Sequence, residues 1–247
     1  MTNTVTTSAE GQPAIFIPEG TTLTIQGTGS LTANATGDGA AGIGGGYQDG
    51  ISYAGINCGN IIIESGTITA TGNTAGIGGG ANGTCGTITI NGGTVEAQGG
   101  NSSAGIGSGY QGTCGDININ GGTVTATGGD GAAGIGSGSQ GTCSTITISG
   151  GTVTATGDYN AAGIGSGYNG TCGNITISSG VTSVEATMGY HAGAPIGYGN
   201  KGTCGSISID GTTSWSAGTA TEHFKWTVST IKDAWNNDVT RWTLTHK

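Results

Sequence analysis

The sequence predicts an all-β protein: a single-stranded parallel β-helix, or β-solenoid, of about seven rungs with a C-terminal β-hairpin cap. Three observations predict this fold. A cassette of about 29 residues, clearest as TCGTITINGGTVEAQGGNSSAGIGSGYQG, recurs along most of the chain. Apolar residues alternate with polar ones inside each copy, and glycine-rich turns separate the alternating stretches. Such copies stack, because one copy cannot bury its apolar face alone.

Each cassette contains three short predicted strands. The first carries pairs such as Ile88/Ile90, the second pairs such as Val95/Ala97, and the third the isoleucine of AGIG, as in Ile106. Stacked copies therefore form inward columns of Ile, Val, Ala and Cys. The turns NGG, GGN or GGD, and GYQG or GYNG are rich in residues that accept tight bends and positive φ.

Composition divides the chain into three parts. Residues 1–22 are a predicted N-terminal lead-in and cap, residues 23–211 are the β-helix repeats, and residues 212–247 are a C-terminal cap. No glycine follows Gly218, and two alternating stretches flank KDAWNND, which predicts a hairpin over the open strand edges. We expect the cap aromatics to close the last rung, with an oligomer contact or a sugar platform as alternatives. The cap contains all four tryptophans, Trp215, Trp226, Trp235 and Trp242.

Charge and hydropathy exclude several partners. The net charge is −9, and all 5 basic residues lie in the last quarter of the chain, so nucleic acid is a poor partner. The sequence has no apolar run long enough for membrane insertion. The start, MTNTVTTSAEGQ, is not a signal peptide. We expect an extracellular, cell-surface or virion protein, either made without a leader or with its leader removed.

One cysteine per copy marks the phase of the repeat. These residues are Cys58, Cys85, Cys114, Cys143, Cys172 and Cys204. We expect a structural ladder of buried free thiols, because unbonded cysteine is among the most buried residue types. Disulfides between consecutive rungs are a second alternative that the rung spacing allows. A metal site is a third, although no CxxC or Cys/His pairing occurs.

The turn after AGIG carries the predicted glycan-contact residues. A sugar can stack its apolar face on an aromatic side chain while its hydroxyls hydrogen-bond to neighbouring amides. The same pattern also fits a structural turn ladder. The candidate residues are Tyr47, Gln48, Tyr110, Gln111, Tyr168 and Asn169.

Two other surface patterns have structural explanations. Thr-X-Thr units on one face resemble ice-binding solenoids, but Glu96 and Glu185 interrupt them, and threonine is a common exposed strand residue. Asp or Asn next to Gly in the turn before AGIG resembles calcium-binding repeats, but one carboxylate per rung is a weak ligand set. We therefore predict no metal and no cofactor.

The sequence predicts no catalytic residue. Hydrolases need two carboxylates that converge, and here the acids are scattered one per rung. Tyr190-His191, in the irregular copy MGYHAGAPIG, is the sole catalytic suspect.

The cassette GTCGTITINGGTVTATGG…AGIGSGY resembles the Gly-rich tandem repeats of right-handed parallel β-helix proteins of gut-bacterial surfaces and their phages, often described as carbohydrate-binding. The resemblance covers about residues 22–211. It implies a β-helix at an outer surface and carries over no catalytic residue.

We therefore expect a non-catalytic surface protein for adhesion or glycan recognition, with polysaccharide or a cell-surface glycan as partner. A trimer, as in phage spikes, is an open alternative for the assembly. A polysaccharide-degrading β-helix enzyme is the second hypothesis for function. A structural spacer or ice-binding solenoid is the third.

Overall fold

The structure is a computed structural model that describes residues 1–48, 54–214 and 216–247; Trp215 lies outside the described residues. Across these ranges the chain consists of strands and turns, and its parallel sheets stack along one solenoid. None of the described elements is a helix long and apolar enough to cross a membrane. The predicted all-β solenoid of about seven rungs with an antiparallel cap is confirmed.

The largest sheet, called the long sheet, has nine strands. Seven of them pair in parallel, one from each rung, and the last two form the antiparallel cap. In spatial order the strands are Thr2–Thr7, Ser30–Ala35, Thr67–Thr71, Thr94–Gln98, Thr123–Thr127, Gly151–Thr156, Val181–Thr187, Asp238–His246 and Phe224–Lys232.

Three smaller parallel sheets complete the rungs. The first consists of Thr22–Ile25, Asn60–Ile63, Ile88–Ile90, Ile117–Ile119, Ile146–Ile148, Ile175–Ile177 and Ile207–Ile209. The second consists of Ile15–Phe16, Ile43–Gly44, Ile77–Gly78, Ile106–Gly107, Ile135–Gly136, Ile164–Gly165 and Ile196–Gly197. The third consists of Thr84–Cys85, Thr113–Cys114, Thr142–Cys143, Thr171–Cys172 and Thr203–Cys204. This Thr-Cys sheet adds a fourth short strand to the three predicted per rung. An antiparallel pair, Gly46–Tyr47 and Gly55–Ile56, branches from an early rung.

The register places like residues on like residues. Ile88 pairs with Ile117, and Val95 pairs with Val124, so each column repeats one side-chain shape. These isoleucines are fully buried, and the columns merge into one core of Ile, Val, Ala and Cys, as predicted. Burying one such side chain stabilises the fold by about 1.5–3 kcal/mol.

A glycine column sets how closely the rungs approach. Gly107 has φ 139°, and a Cβ placed on it would lie 1.9 Å from the carbonyl oxygen of Gly136 in the next rung. The equivalent glycines from Gly44 to Gly165 meet the same contact. The second glycine of AGIG is therefore required by both its backbone angle and the contact with the neighbouring rung.

The N-terminal residues join the sheets of the coil. Thr2–Thr7 pairs in parallel with Ser30–Ala35, and Ile15–Phe16 pairs with Ile43–Gly44. Pro18 forms an antiparallel bridge to Cys58, shortly before the strand Thr22–Ile25 begins. The sequence does not predict the strand Thr2–Thr7, because TNTVTT has little apolar content to mark it.

The C-terminal hairpin covers the last rung of the long sheet. Its own side chains Phe224, Trp226, Trp242 and Leu244 are buried and belong to the hydrophobic core, so two of the cap tryptophans close the core. The buried carboxylate of Asp210 connects the last rung to the cap by accepting from the His223 backbone N–H at 2.9 Å. Its other oxygen lies 2.6 Å from the His223 ring Nδ1.

A glycine substitution tests the rung contact. We expect Gly107→Ala to cost several kcal/mol of unfolding free energy, because the new Cβ would meet the backbone of the next rung. Gly211→Ala is the matched control: its φ is also positive, at 76°, but nothing lies within 4 Å of the new Cβ, so its cost should be about 1 kcal/mol. Urea unfolding measures both values, and equal losses would contradict the contact.

A second prediction concerns pH and the cap. Burial alone would raise the pKa of Asp210, but hydrogen bonds from Thr221 and His223 outweigh it and lower this pKa below its ordinary value. The ionised carboxylate therefore stabilises the fold above the unfolded-state pKa, and this contribution is lost as the pH falls through the folded-state pKa.

We therefore expect Asp210→Asn to melt at a lower temperature than the wild type at pH 7. The difference should begin to shrink below about pH 4, where the carboxyl of the unfolded chain becomes protonated, and should disappear below the lowered folded-state pKa. Asp238→Asn, which removes an exposed carboxylate paired with Lys232, is the control and should change the melting temperature little. A difference that is unchanged at pH 2.5 would contradict the role given to Asp210.

Candidate functional site

The predicted glycan-contact tyrosines lie in one column of stacked turns, called here the tyrosine column. Its members are Tyr47, Ala81, Tyr110, Ser139, Tyr168 and Asn200. Backbone bonds connect successive turns, such as Gln111 N–H to the Ser139 carbonyl at 3.1 Å. The amide residues after Tyr110 and Tyr168 take a left-handed conformation, with φ 52° at both Gln111 and Asn169. These amides therefore have a role in the turn itself.

The three tyrosines differ in access. Tyr47 is only 8% exposed, because residues near Gly11 cover it and its hydroxyl donates to Glu10. Gln48 beside it is exposed. Tyr47 therefore offers a ligand little of its ring, whereas Tyr110 and Tyr168 are half-buried.

Neighbouring side chains hydrogen-bond to the polar groups of the tyrosine column. Gln140 donates to the Tyr110 hydroxyl at 3.3 Å and accepts from Gln111 at 3.1 Å. Lys201 donates to the Tyr168 hydroxyl at 3.3 Å, and its ammonium lies 5.6 Å from the centre of that ring. These contacts stabilise the column and leave fewer polar atoms for a ligand. A depression of about 420 Å³ remains between Tyr47 and Tyr110, where Ala81 is small.

A larger concavity, called the tryptophan groove, lies where the cap meets the turns before AGIG. Its volume is about 670 Å³. Asp130 and Asp158, from consecutive rungs, line the groove and are called here the acidic wall, and the hairpin tip supplies Trp235 to the same groove. The remaining polar groups are Gln98, Asn101, Thr127 and Asn237.

The hairpin tip holds Trp235 in an ordered turn. The carboxylate of Asp233 accepts from the backbone N–H groups of Trp235 at 2.9 Å and Asn237 at 2.8 Å, and from the Asn237 side chain at 2.9 Å. Asn236 closes the turn with φ 65°. Trp235 is nevertheless 64% exposed, so the ordered turn presents an aromatic side chain to solvent.

An aromatic cluster continues from the groove. Tyr159, 40% exposed, lies 5.5 Å from the His191 ring and 6.2 Å from the Tyr190 ring, measured between centroids. The rings of Tyr190 and His191 are 3.9 Å apart. The catalytic suspect of the sequence analysis is therefore part of an aromatic cluster beside the groove.

The cysteines stack along the inside of the coil at the Thr-Cys sheet. Cys58 and Cys85 form a disulfide, which differs from the unbonded ladder expected of all six. The other four are free thiols: Cys114, Cys143 and Cys172 are buried, and Cys204 is half-buried. Within the described ranges, no group of three or more His, Cys, Asp or Glu side chains could hold a metal ion.

A family model described as a beta helix repeat matches five segments of the chain, residues 23–47, 61–81, 88–110, 117–139 and 146–168. These segments are beta helix repeats. No curated protein and no solved structure matches the chain. Each matched repeat ends at a residue of the tyrosine column, whereas Trp235 and the cap lie outside the matches. The groove therefore combines the turns of the beta helix repeats with a tip that the repeat does not supply.

One carboxyl group of the acidic wall, that of Asp158, has a pKa above its ordinary value. Burial raises the pKa of Asp158, and repulsion from Asp130 and Asp233 raises it further, against a lowering bond from the Tyr159 N–H. That bond, to the Asp158 side chain, measures 2.7 Å. Paired oxygen acceptors beside aromatic faces can bind the hydroxyls of a polar ligand whose apolar face stacks on a ring.

The sequence predicts Asp or Asn next to Gly in this turn, which includes Asp130 and Asp158, only as turn formers. It predicts Trp235 as part of the closing cap, with an oligomer contact or a sugar platform as alternatives for the cap aromatics. The position of Trp235 is the signal that separates it from the other cap tryptophans. It stands in KDAWNND, between the alternating stretches, where a side chain does not face the core.

The electrostatic coupling between Asp130 and Asp158 can be tested by measuring the pKa of Asp158. We expect Asp130→Asn to lower the pKa of Asp158, because it removes a neighbouring negative charge while keeping the side-chain shape. NMR of side-chain carboxyl carbons measures the value. Asp116→Asn is the control, since Asp116 bonds to Thr145 outside the groove. An Asp158 pKa that Asp130→Asn leaves unchanged would contradict the coupling.

Proposed function

We propose that this β-helix is a non-catalytic module for glycan recognition or adhesion at an outer surface, either of a bacterium or of a phage particle. The tryptophan groove is the observation that supports this function best. A hydrogen-bonded turn carries an exposed indole that lines the same groove as two carboxylates from consecutive rungs. Ligand sites are concave and combine aromatic walls with a few placed polar groups.

The aromatic faces supply the binding energy in this proposal. A tryptophan or tyrosine buries about 150–250 Å² when it is covered, and indole rings stack on the apolar face of a pyranose. Trp235 and Tyr159 are both exposed large side chains, and both line the groove. Their exposure therefore has an explanation in ligand binding.

Charge narrows the class of glycan. Asp130 and Asp158 face the groove, and the nearby cations already have partners: Lys232 lies 2.8 Å from Asp238, and Arg241 lies 3.1 Å from Glu185. The whole chain has a net charge of −9. A uronic acid or sulfated chain would be repelled, so we expect a neutral or amino-sugar glycan.

A polysaccharide hydrolase remains the second candidate, because one specific observation favours it. Hydrolases use a pair of carboxyl groups of which one has a raised pKa, and Asp158, whose pKa is raised by burial, lines the groove together with Asp130. Release of reducing ends from neutral polysaccharides, abolished by Asp158→Asn, would support the enzyme and contradict the non-catalytic proposal.

Affinity electrophoresis in gels containing neutral or acidic polysaccharides tests the proposed function. We expect a neutral glycan to retard the wild type, and Trp235→Ala and Tyr159→Ala to weaken binding about tenfold, which corresponds to about 1.4 kcal/mol. Phe16→Ala is the matched control, because Phe16 is also exposed, at 46%, but lies at the first rung.

The tyrosine column is tested in the same gels. Tyr110→Ala and Tyr168→Ala should reduce retardation less than Trp235→Ala, because neighbouring side chains already bind both hydroxyls. If only these two variants lost binding, the site would be the tyrosine column. If no polysaccharide retarded the wild type, the recognition proposal would be wrong and a structural spacer would stand.

A further inference from the structure

The inner cysteine column has no role in the tryptophan groove. In the Thr-Cys sheet each cysteine pairs in register with the one a rung away, from Cys85 to Cys204, and Cys58 stands in a bridge with Cys85. Neighbouring strands lie about 4.8 Å apart, and disulfides join Cα atoms about 4.4–6.8 Å apart. The Cys58–Cys85 disulfide, with 4.5 Å between Cα atoms, shows that a stacked pair can bridge in this register.

The free thiols point toward the preceding rung. The sulfur of Cys114 lies 3.9 Å from the Gly86 carbonyl, that of Cys172 lies 3.9 Å from the Ser144 carbonyl, and that of Cys204 lies 3.6 Å from the Gly173 carbonyl. Each of these acceptors directly follows the cysteine of the rung before. Cys204 is therefore directed toward Cys172, and the two thiols hydrogen-bond to each other. Cys85, 3.7 Å from the Gly59 carbonyl, is directed in the same way toward its bridging partner Cys58. Cys114 and Cys172 are directed toward Cys85 and Cys143, so each must rotate about its Cα–Cβ bond to reach the cysteine of the following rung.

We infer that the column forms three disulfide bridges between rungs when the chain folds in an oxidising medium: Cys58–Cys85, Cys114–Cys143 and Cys172–Cys204. The first bond is present in the structure and sets the phase of the others. Pairing the remaining four in consecutive order leaves no thiol over. The competing bond joins Cys143 to Cys172, whose thiols hydrogen-bond to each other, and it would leave Cys114 and Cys204 unpaired.

Each bridge forms by thiol–disulfide exchange with a small-molecule disulfide such as oxidised glutathione. One cysteine thiolate attacks the glutathione disulfide and releases one glutathione thiolate, and the second cysteine thiolate then displaces the other. Two protein thiols are oxidised to one protein disulfide, one glutathione disulfide is reduced to two thiols, and the two protein protons pass to them.

Folding controls when this exchange is fast. Burial raises the pKa of Cys114 to about 12, and the pKa values of Cys143, Cys172 and Cys204 are also raised. Thiolate is the attacking species, so the buried column of the folded coil exchanges slowly. The bridges therefore form during folding and become protected once the rungs stack.

Oxidative refolding of the full-length chain tests the inference. Reduced, denatured protein is refolded with either oxidised and reduced glutathione or dithiothreitol, then denatured, alkylated and weighed intact. We expect no alkylated cysteine after refolding with glutathione and six after refolding with dithiothreitol. Reduced protein that is folded first and exposed to oxidised glutathione afterwards should keep Cys114 and Cys143 alkylatable much longer.

Peptide mapping identifies the pairs. Basic residues are absent before Lys201, so trypsin is unsuitable, but cleavage at acidic residues separates every cysteine from the next. The separating residues are Glu64, Glu96, Asp116, Asp158 and Glu185. We expect linked peptides that join Cys114 to Cys143 and Cys172 to Cys204.

A double variant separates a bridge from a merely structural role. Cys114→Ser with Cys143→Ser should keep two disulfides and melt below the wild type after oxidative refolding. After refolding in dithiothreitol the deficit should be smaller, because the wild type then also lacks the bridge. Four alkylated cysteines in the oxidised wild type, a Cys143–Cys172 peptide, or an equal deficit in both media would overturn the inference. Each outcome is independent of glycan binding.

Discussion

The fixed register of one rung on the next is the constraint on which this structure depends. Parallel hydrogen bonds connect every rung to its neighbour, and the glycine column brings the Gly107 and Gly136 backbones closer than any side chain would allow. Once that register is set, each position of the repeat becomes a column. Each buried column then contains side chains of similar shape. Each exposed column places equivalent side chains of neighbouring rungs about 4.8 Å apart.

The groove arises where this regularity ends. A turn that is ordinary in one rung places Asp130 and Asp158 next to each other when two rungs stack. The cap closes the core with Trp226 and Trp242 and extends its tip over the same turns with Trp235. The cap therefore has two separable roles, because closing the coil does not require an exposed indole.

Much of the fold can be predicted from the sequence, because every copy of the repeat contains one residue of each column. Ile88, Ile117 and Ile146 each alternate with a polar residue, and together they predict both the strand and its partner. Residues outside the repeat lack that redundancy. The strand Thr2–Thr7 has neither a repeat nor an apolar pattern, and it forms because the long sheet offers it an edge. The two-residue Thr-Cys strands are too short for alternation to show.

The site was less predictable than the fold for a related physical reason. Spacing along the chain indicates which residues share a column, and this placed the tyrosines correctly in one line. It does not indicate which columns another element covers. Glu10 and Gly11 cover Tyr47, and Lys201 lies over Tyr168, whereas the hairpin tip brings Trp235 to the acidic turns across more than 70 residues of chain.

Deletion of one full period tests the register most directly. Removing residues 86–114 joins Cys85 to Gly115, restores the TCG sequence and leaves Asp158, Tyr159 and Trp235 in place. The account predicts a single cooperative urea transition by tryptophan fluorescence for this variant, as for the wild type. Removing residues 100–114, about half a period, should split or abolish that transition. The shortened rung then lacks Ile106–Gly107 and Thr113–Cys114, so the rungs on either side lose their partners in two of the sheets. Equal loss of cooperativity in both variants, or its retention in both, would contradict stacking in a fixed register.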